Sequence, residues 1–135
     1  MRERIMTELR KPGTGIDIKL DRGGIEEIEF VTQYLQLRYS ADLDVLYQDT
    51  LSALRSIREI GKLTDSDHLI LKENYVLFRT IETYLRLSLK GTIKEKDRET
   101  AYLAAFVGSK GDEELIQALN DKMSEVSRIA ASVYS

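Results

Sequence analysis

The sequence contains no cysteine and no tryptophan, and only one proline and one histidine among 135 residues. Without cysteine the chain can form no disulfide and no reactive thiolate, which fits a reducing compartment, and we expect a cytoplasmic protein. The one histidine, His68, has no second histidine or cysteine with which to form a zinc site. It lies at the start of a predicted helix, where we expect it at the surface.

The sequence also lacks a basic excess and a long apolar run. The net charge of -3 argues against general nucleic-acid binding, because phosphates are neutralised by lysine and arginine. The longest apolar runs, such as AYLAAFV, are too short to span a bilayer, and MRERIMTELRK has no signal-peptide core. Hydrophobic residues at 42% and charged residues at 32% indicate a globular chain that interacts with neither nucleic acid nor membrane.

The clearest loop in the sequence surrounds Pro12. Residues 1–10 are predicted to form a short charged helix that ends at Lys11-Pro12-Gly13, because proline and glycine interrupt helices. We therefore divide the chain into a tail or linker over residues 1–15 and a domain over residues 16–135. The domain opens with Ile16, Ile18 and Leu20 at alternate positions, which indicates a short extended segment with no second strand in the chain to pair with.

Four longer stretches carry apolar residues at steps of three and four, the period of a helix with one buried face. These stripes are Ile25, Ile28, Val31, Leu35 and Tyr39; Tyr47, Leu51, Leu54 and Ile57; Leu71, Tyr75, Phe78, Ile81, Leu85 and Leu89; and Ile116, Leu119, Met123, Val126, Ala130 and Val133. Gly61 is placed to end the second helix, Thr64 and Asp67 form a capping box for the third, and Asp112 begins the last. With a short helix over Ala101 to Val107, the prediction is an all-α bundle of four main helices plus one short helix, with a short extended N-terminal segment.

Two carboxylate pairs, Asp42-x-Asp44 and Asp65-x-Asp67, have the spacing of some magnesium sites. Both lie where a helix is predicted to begin, and acidic residues there are explained by capping and the helix dipole. Neither follows a strand, so we favour the capping interpretation.

The stretch from Asp17 to Phe30, DIKLDRGGIEEIEF, is the most unusual in the chain. Gly23 and Gly24 directly before a helix could offer backbone N–H groups to an anion, but Glu26, Glu27 and Glu29 would repel a phosphate. Glu29 should lie at the edge of the buried stripe and needs a partner, with Lys19, Arg22 or an arginine of the third helix as candidates. Asp17 and Lys19 project from the face opposite the apolar residues, which suggests a functional pair.

The longer stretch DIKLDRGGIEEIEFVTQYLQLRY closely resembles the segment that follows a nucleotidyltransferase domain in glutamine synthetase adenylyltransferases. The family pattern is met by Asp17, Ile18, Lys19, Gly23, Gly24, Ile25, Glu27, Ile28, Glu29, Phe30 and Gln33. The uridylyltransferases of nitrogen signalling carry a similar but weaker version. Residues 51–87 resemble the next two helices of the family, with Phe78 where leucine is common. EFVTQYLQLRY looks more like the adenylylating half of the two-half family protein than the AMP-removing half.

The resemblance implies that the catalytic pattern, Gly-Ser followed by Asp-x-Asp, lies upstream of Met1, since these residues do not contain it. The parent enzyme would transfer AMP from ATP to a tyrosine of glutamine synthetase, using Mg2+ held outside this chain. This chain alone would bind neither cofactor and would be inactive. The unpaired extended segment would lie at the junction with the nucleotidyltransferase domain.

Under this resemblance we expect the bundle to brace the nucleotidyltransferase domain at one side of the nucleotide cleft. Lys19 would approach the triphosphate, Asp17 would orient Lys19, and Gly23 and Gly24 would allow close backbone approach. Glu27 and Glu29 would hold the domain junction through ion pairs.

The alternative is a non-catalytic interaction module that docks glutamine synthetase or a nitrogen regulatory signalling protein. An exposed apolar patch on the outer faces of the last two helices would favour docking, and one beside Ile18 and Leu20 would favour the junction with the catalytic domain.

Overall fold

The computed structural model describes residues 15–88 and 91–135, and it confirms the predicted all-α fold. Within these ranges there are five α-helices and one 3₁₀ turn, Ser40–Asp42. The α-helices are α1 (Ile25–Arg38), α2 (Thr50–Glu59), α3 (Asp65–Leu87), α4 (Arg98–Phe106) and α5 (Asp112–Tyr134). The helix predicted over residues 1–10 and the position of Leu89 lie outside the described residues.

Helices α1, α2, α3 and α5 form the bundle, and α4 packs on α5. α1 contacts α2, α3 and α5, so its apolar face lies at the centre of the fold. The core is built from the predicted stripes, with Ile28, Phe78 and Leu119 completely buried. None of the helices in the described ranges combines the length and apolar content needed to cross a bilayer.

The helix ends follow the predicted caps in α3 and α5. At the start of α3, the Thr64 hydroxyl accepts a hydrogen bond from the Asp67 N–H at 3.1 Å. At the end of α2, Gly61 adopts a left-handed φ of 79°. α5 begins at Asp112 as predicted. These positions were predictable because caps are set by residues within one turn of the helix end.

The start of α2 was predicted wrongly. The helix begins at Thr50, with the Asp49 carboxylate capping the Ser52 N–H at 3.0 Å, and Tyr47 lies before it. The buried face therefore carries Thr50 and Ala53, while Leu51 is 38% exposed.

Gln36 of α1 holds the segment before α2. Its side-chain amide donates to the Tyr47 carbonyl and accepts from the Tyr47 N–H, both at 2.8 Å. Gln36 is buried, so this pair of bonds fastens the loop to α1 and keeps Tyr47 out of the helix.

The extended N-terminal segment does have a partner, contrary to expectation. Ile16 and Ile93 form an antiparallel bridge, in which each N–H donates to the other's carbonyl at 2.8 and 2.9 Å. Ile93 lies between α3 and α4. The alternation ends early, because Ile16 and Ile18 are buried but Leu20 is 51% exposed. The segment is thus part of the fold of this chain.

Residues 17–24 form a tight loop between this bridge and α1, which we call the elbow. The Asp21 N–H donates to the Asp17 carbonyl, and the Gly24 N–H donates to the Asp21 carbonyl, each at 2.9 Å. The Ile25 N–H donates to the Ile18 carbonyl at 2.9 Å. These bonds turn the chain back on itself and set the direction in which α1 begins.

Gly23 presses against the backbone of α5. Its φ is 83°, and a Cβ atom at this position would overlap the carbonyl oxygen of Met123. A Cβ atom on Gly24 would overlap the carbonyl oxygen of Ile18. Two glycines are therefore needed here for packing within the domain.

Replacing Gly23 by alanine should destabilise the fold far more than replacing Gly61. Both glycines have a left-handed φ, but in the described ranges no atom beyond its own chain neighbours lies within 4 Å of a Cβ atom built on Gly61. Gly61→Ala should lower the free energy of unfolding by about 1 kcal/mol, from backbone strain alone. Gly23→Ala should cost at least about 2 kcal/mol more, because the Met123 backbone has to move. Urea denaturation measures both, and equal losses would show that the elbow does not press on α5.

Candidate functional site

The tip of the elbow presents Lys19 and Leu20 to solvent. One carboxylate oxygen of Asp17 accepts hydrogen bonds from the N–H groups of Lys19, at 3.1 Å, and Leu20, at 3.0 Å. The Asp17 N–H donates in turn to the Asp21 carboxylate at 2.9 Å. Asp17 therefore fixes the backbone from which the Lys19 side chain extends, an arrangement typical of an Asx turn.

The backbone N–H groups of residues 23–26, at the start of α1, already have acceptors in this chain. Gly23 donates to the Glu27 carboxylate at 3.2 Å, and Gly24 and Ile25 donate to carbonyls of the elbow. Glu26 donates to the Lys19 carbonyl at 3.1 Å. A phosphate at this helix end would have to displace these bonds. The two predicted glycines thus approach the chain's own backbone, and their role beside a nucleotide stays a prediction.

Glu27 lies inside the fold and is only 4% exposed. Its carboxylate accepts the Gly23 N–H and so fastens the first turn of α1 to the elbow. The contact is internal to the domain, and the predicted role of Glu27 at a domain junction would act through the elbow.

Glu29 pairs with a tyrosine, which the sequence did not suggest. The Tyr75 hydroxyl of α3 donates to the Glu29 carboxylate at 2.8 Å, so the expectation of a lysine or arginine partner was wrong. Glu29 and Tyr75 lie in an open groove of about 570 Å³, which Thr50 and Arg79 also line. Burial raises the pKa of Tyr75, the neighbouring Thr50 side chain lowers it, and the bond to Glu29 raises it again.

His68 was expected at the surface, and that expectation was wrong. It is 6% exposed and lies between α2 and α3, with its ring lining a small pocket. The first turn of α3 faces the end of α2 across the short connection, which covers a side chain that would be exposed on an isolated helix.

The two carboxylate pairs do not assemble a metal site. Asp42 and Asp44 are exposed. The Asp67 carboxylate oxygen Oδ1 lies 3.8 Å from the guanidinium nitrogen Nη2 of Arg128 on α5, so Asp67 forms an ion pair with this arginine. In the part of the chain that the structure describes, no three His, Cys, Asp or Glu side chains come together as metal ligands would. These residues do not fit the Mg2+ that the resemblance implies for the parent enzyme.

Comparisons with a family model and with individual proteins point to the same family. A family model described as GlnD PII-uridylyltransferase matches residues 1–134. A bifunctional glutamine synthetase adenylyltransferase/adenylyl-removing enzyme of Burkholderia mallei is 34% identical over 82% of the chain, and that of Caulobacter vibrioides is 30% identical over 97%. The corresponding enzyme of Hahella chejuensis is 36% identical over 61% of the chain. The chain covers 9% to 13% of the length of these relatives.

The burial of Tyr75, together with its bond to Glu29, should make the stability of the fold fall at alkaline pH. The pKa of Tyr75 is raised above its ordinary value of 10.0, so the unfolded chain releases this proton first and stability is lost as pH rises through the folded-state pKa. Tyr75→Phe should be less stable than the wild type near neutral pH, and the difference should shrink above about pH 10. Denaturation at a series of pH values measures this. Tyr102→Phe is the matched control, since Tyr102 is 58% exposed. A difference in the free energy of unfolding between wild type and Tyr75→Phe that does not change with pH would contradict the account.

Proposed function

The chain belongs to the family of PII-uridylyltransferases and glutamine synthetase adenylyltransferases, and we propose that it is the helical domain that braces their nucleotidyltransferase domain. The parent protein transfers AMP from ATP to a tyrosine of glutamine synthetase, and this bundle belongs to the adenylylating half. ATP and Mg2+ are held mainly by the nucleotidyltransferase domain, and the enzyme works in the cytoplasm. This chain alone is inactive, because a Gly-Ser pair followed by Asp-x-Asp does not occur among its residues.

The observation that supports the proposal is the rigid elbow with an exposed tip. Asp17 fixes the backbone of Lys19 and Leu20, and Gly23 fixes the elbow against α5. Because the backbone is already held in this way, only the side chain of Lys19 has to lose conformational freedom when it meets a phosphate. Leu20 is half exposed beside it and offers an apolar contact for a neighbouring domain. The elbow would thus set Lys19 at the edge of the nucleotide cleft, where its ammonium group favours the charged triphosphate.

Glu27 and Glu29 contribute to this function through the elbow and α1. Glu27 fastens the elbow to α1, and Glu29 ties α1 to α3 through Tyr75. Force applied at the elbow by a neighbouring domain would therefore reach α1 and α3. We propose that this coupling, more than ion pairs across the junction, is how the two carboxylates support the bracing role.

A second candidate function is docking of a partner protein, and the exposed face of α4 favours it. Tyr102 is 58% exposed and Phe106 is 65% exposed, one helical turn apart. The centroid of the Phe106 ring lies 5.7 Å from the centroid of the Tyr84 ring on α3. Exposed aromatic rings of this kind are enriched in interfaces. The partner would be glutamine synthetase or a nitrogen regulatory signalling protein.

The bracing proposal predicts that Lys19→Ala weakens ATP binding by the intact enzyme that carries this domain. Loss of one charge-assisted contact should raise the Kd for ATP about tenfold and lower kcat/KM with it. Isothermal titration with ATP and an AMP-transfer assay measure the two effects. Lys110→Ala is the matched control, because Lys110 is also exposed but precedes α5. Unchanged affinity and turnover in Lys19→Ala would refute a role at the nucleotide cleft.

The docking proposal predicts that Phe106→Asp weakens binding of the intact enzyme to glutamine synthetase by about tenfold or more, because a charge is placed in a desolvated contact. Biolayer interferometry with purified glutamine synthetase measures it. Leu37→Asp serves as the control, since Leu37 is 70% exposed on α1. Equal binding by wild type and Phe106→Asp would remove α4 as the surface that contacts glutamine synthetase.

A further inference from the structure

A small pocket between α2 and α3 is surrounded by basic side chains. It has a volume of about 180 Å³ and is lined by Leu51, Ser52, Arg55, Arg58, His68 and Lys72. We call it the basic pocket. Among the residues that the structure describes, no acidic side chain lines it.

The sequence brings these cations together through helix geometry. Arg55 and Arg58 lie three residues apart on α2, and His68 and Lys72 lie four apart on α3, so each pair shares one helix face. The turn at Gly61 reverses the chain and places the two faces against each other. An anion between these side chains would be attracted by all of their positive charges at once.

Within the described part of the chain, the charges of the basic pocket are neutralised only in part. No ion pair there joins Arg55, Arg58 or Lys72 to a carboxylate. The acidic groups that act on the pocket electrostatically are Asp49, beside Arg55, and Asp65, beside His68. Asp49 is already occupied in capping α2.

His68 adds a buried polar group to the pocket. Its ring makes no hydrogen bond with the described residues, although the residue is only 6% exposed. Since none of the fully buried polar side-chain atoms described lacks a partner, the ring nitrogens must reach solvent, and the pocket is the opening beside them. Burial lowers the pKa of His68, and Arg58 and Lys72 lower it further, while Asp65 raises it. A neutral imidazole retains one N–H with which to donate to a ligand.

The size of the pocket limits its ligand. Pockets for whole drug-sized molecules have volumes of about 300 Å³ or more, so a volume of 180 Å³ suits a single small ion or one group of a larger molecule. Guanidinium groups match the geometry of phosphate oxygens, and the Ser52 hydroxyl supplies a further donor.

We propose that the basic pocket binds a phosphoryl dianion, either as inorganic phosphate or as the phosphate of a nucleotide, with Arg55, Arg58, Lys72 and His68 as its donors. The basic pocket shares no residue with the elbow, so the proposal does not depend on the bracing role.

The experiment uses His68 as its reporter, because it is the only histidine in the chain. The proton resonances of its ring are followed by NMR near neutral pH while sodium phosphate is added, with sodium chloride at matched ionic strength as the reference. Bound phosphate should shift these resonances in a saturable manner and raise the pKa of His68, because the dianion favours the imidazolium form. A parallel titration with AMP distinguishes the sources: tighter binding of AMP identifies a nucleotide phosphate, and equal binding identifies the phosphate group alone.

Arg55→Gln should weaken phosphate binding about tenfold, as expected for the loss of one charge-assisted contact. Arg98→Gln is the matched control, since Arg98 is exposed on α4, outside the pocket, and should bind like the wild type. Circular dichroism checks that each variant is folded, and Lys72→Gln replaces Arg55→Gln if the latter is not. Identical responses to phosphate and chloride, or equal losses in Arg55→Gln and Arg98→Gln, would overturn the proposal.

Discussion

The close contact between Gly23 and the Met123 carbonyl determines where the N-terminal segment lies on the bundle. Because no side chain can stand between them, the elbow meets the backbone of α5 directly, and α1 must begin at that point. The Ile16–Ile93 bridge then joins the other end of the elbow to the loop before α4. One segment of the chain thus contacts both α5 and the loop before α4, and leads directly into α1. The buried Glu27 carboxylate completes this arrangement by accepting the Gly23 N–H.

Much of this fold could be predicted from the sequence, and the parts that could not depend on distant contacts. α3 and α5 were predicted well because both have long apolar stripes and local caps. The start of α2 was not, because Tyr47 fits a helical stripe but is held in the loop by Gln36, eleven residues away. The partner of Ile16 could not be found either, since a bridge of one residue pair produces no alternation at Ile93.

In the candidate site, too, the local features could be predicted from the sequence, and those that depend on distant contacts could not. The sequence pointed to Asp17, Gly23 and Gly24 as unusual, but only the structure shows that the carboxylate and the glycines hold the elbow together. Glu29 was correctly expected to need a partner, yet a hydroxyl on α3 could not be chosen over an arginine from spacing alone. His68 was missed for a related reason: its burial comes from α2, which covers the first turn of α3. The basic pocket, in contrast, left a signal that could be detected in the sequence. The spacings place Arg55 and Arg58 on one helix face, and His68 and Lys72 on another.

If the elbow is a rigid part of the domain, its backbone should open only when the whole fold opens. Native-state hydrogen exchange measures this directly at the amide of Gly23 and at the amide of Ile25, which donates to the Ile18 carbonyl of the elbow. The Phe78 amide in α3 is the reference from the core. We expect the three amides to exchange with the same opening free energy, because the elbow contacts α5 and the core at once. Exchange of Gly23 and Ile25 at a much lower free energy would show that the elbow opens on its own, and would contradict the view that it holds Lys19 in a fixed place.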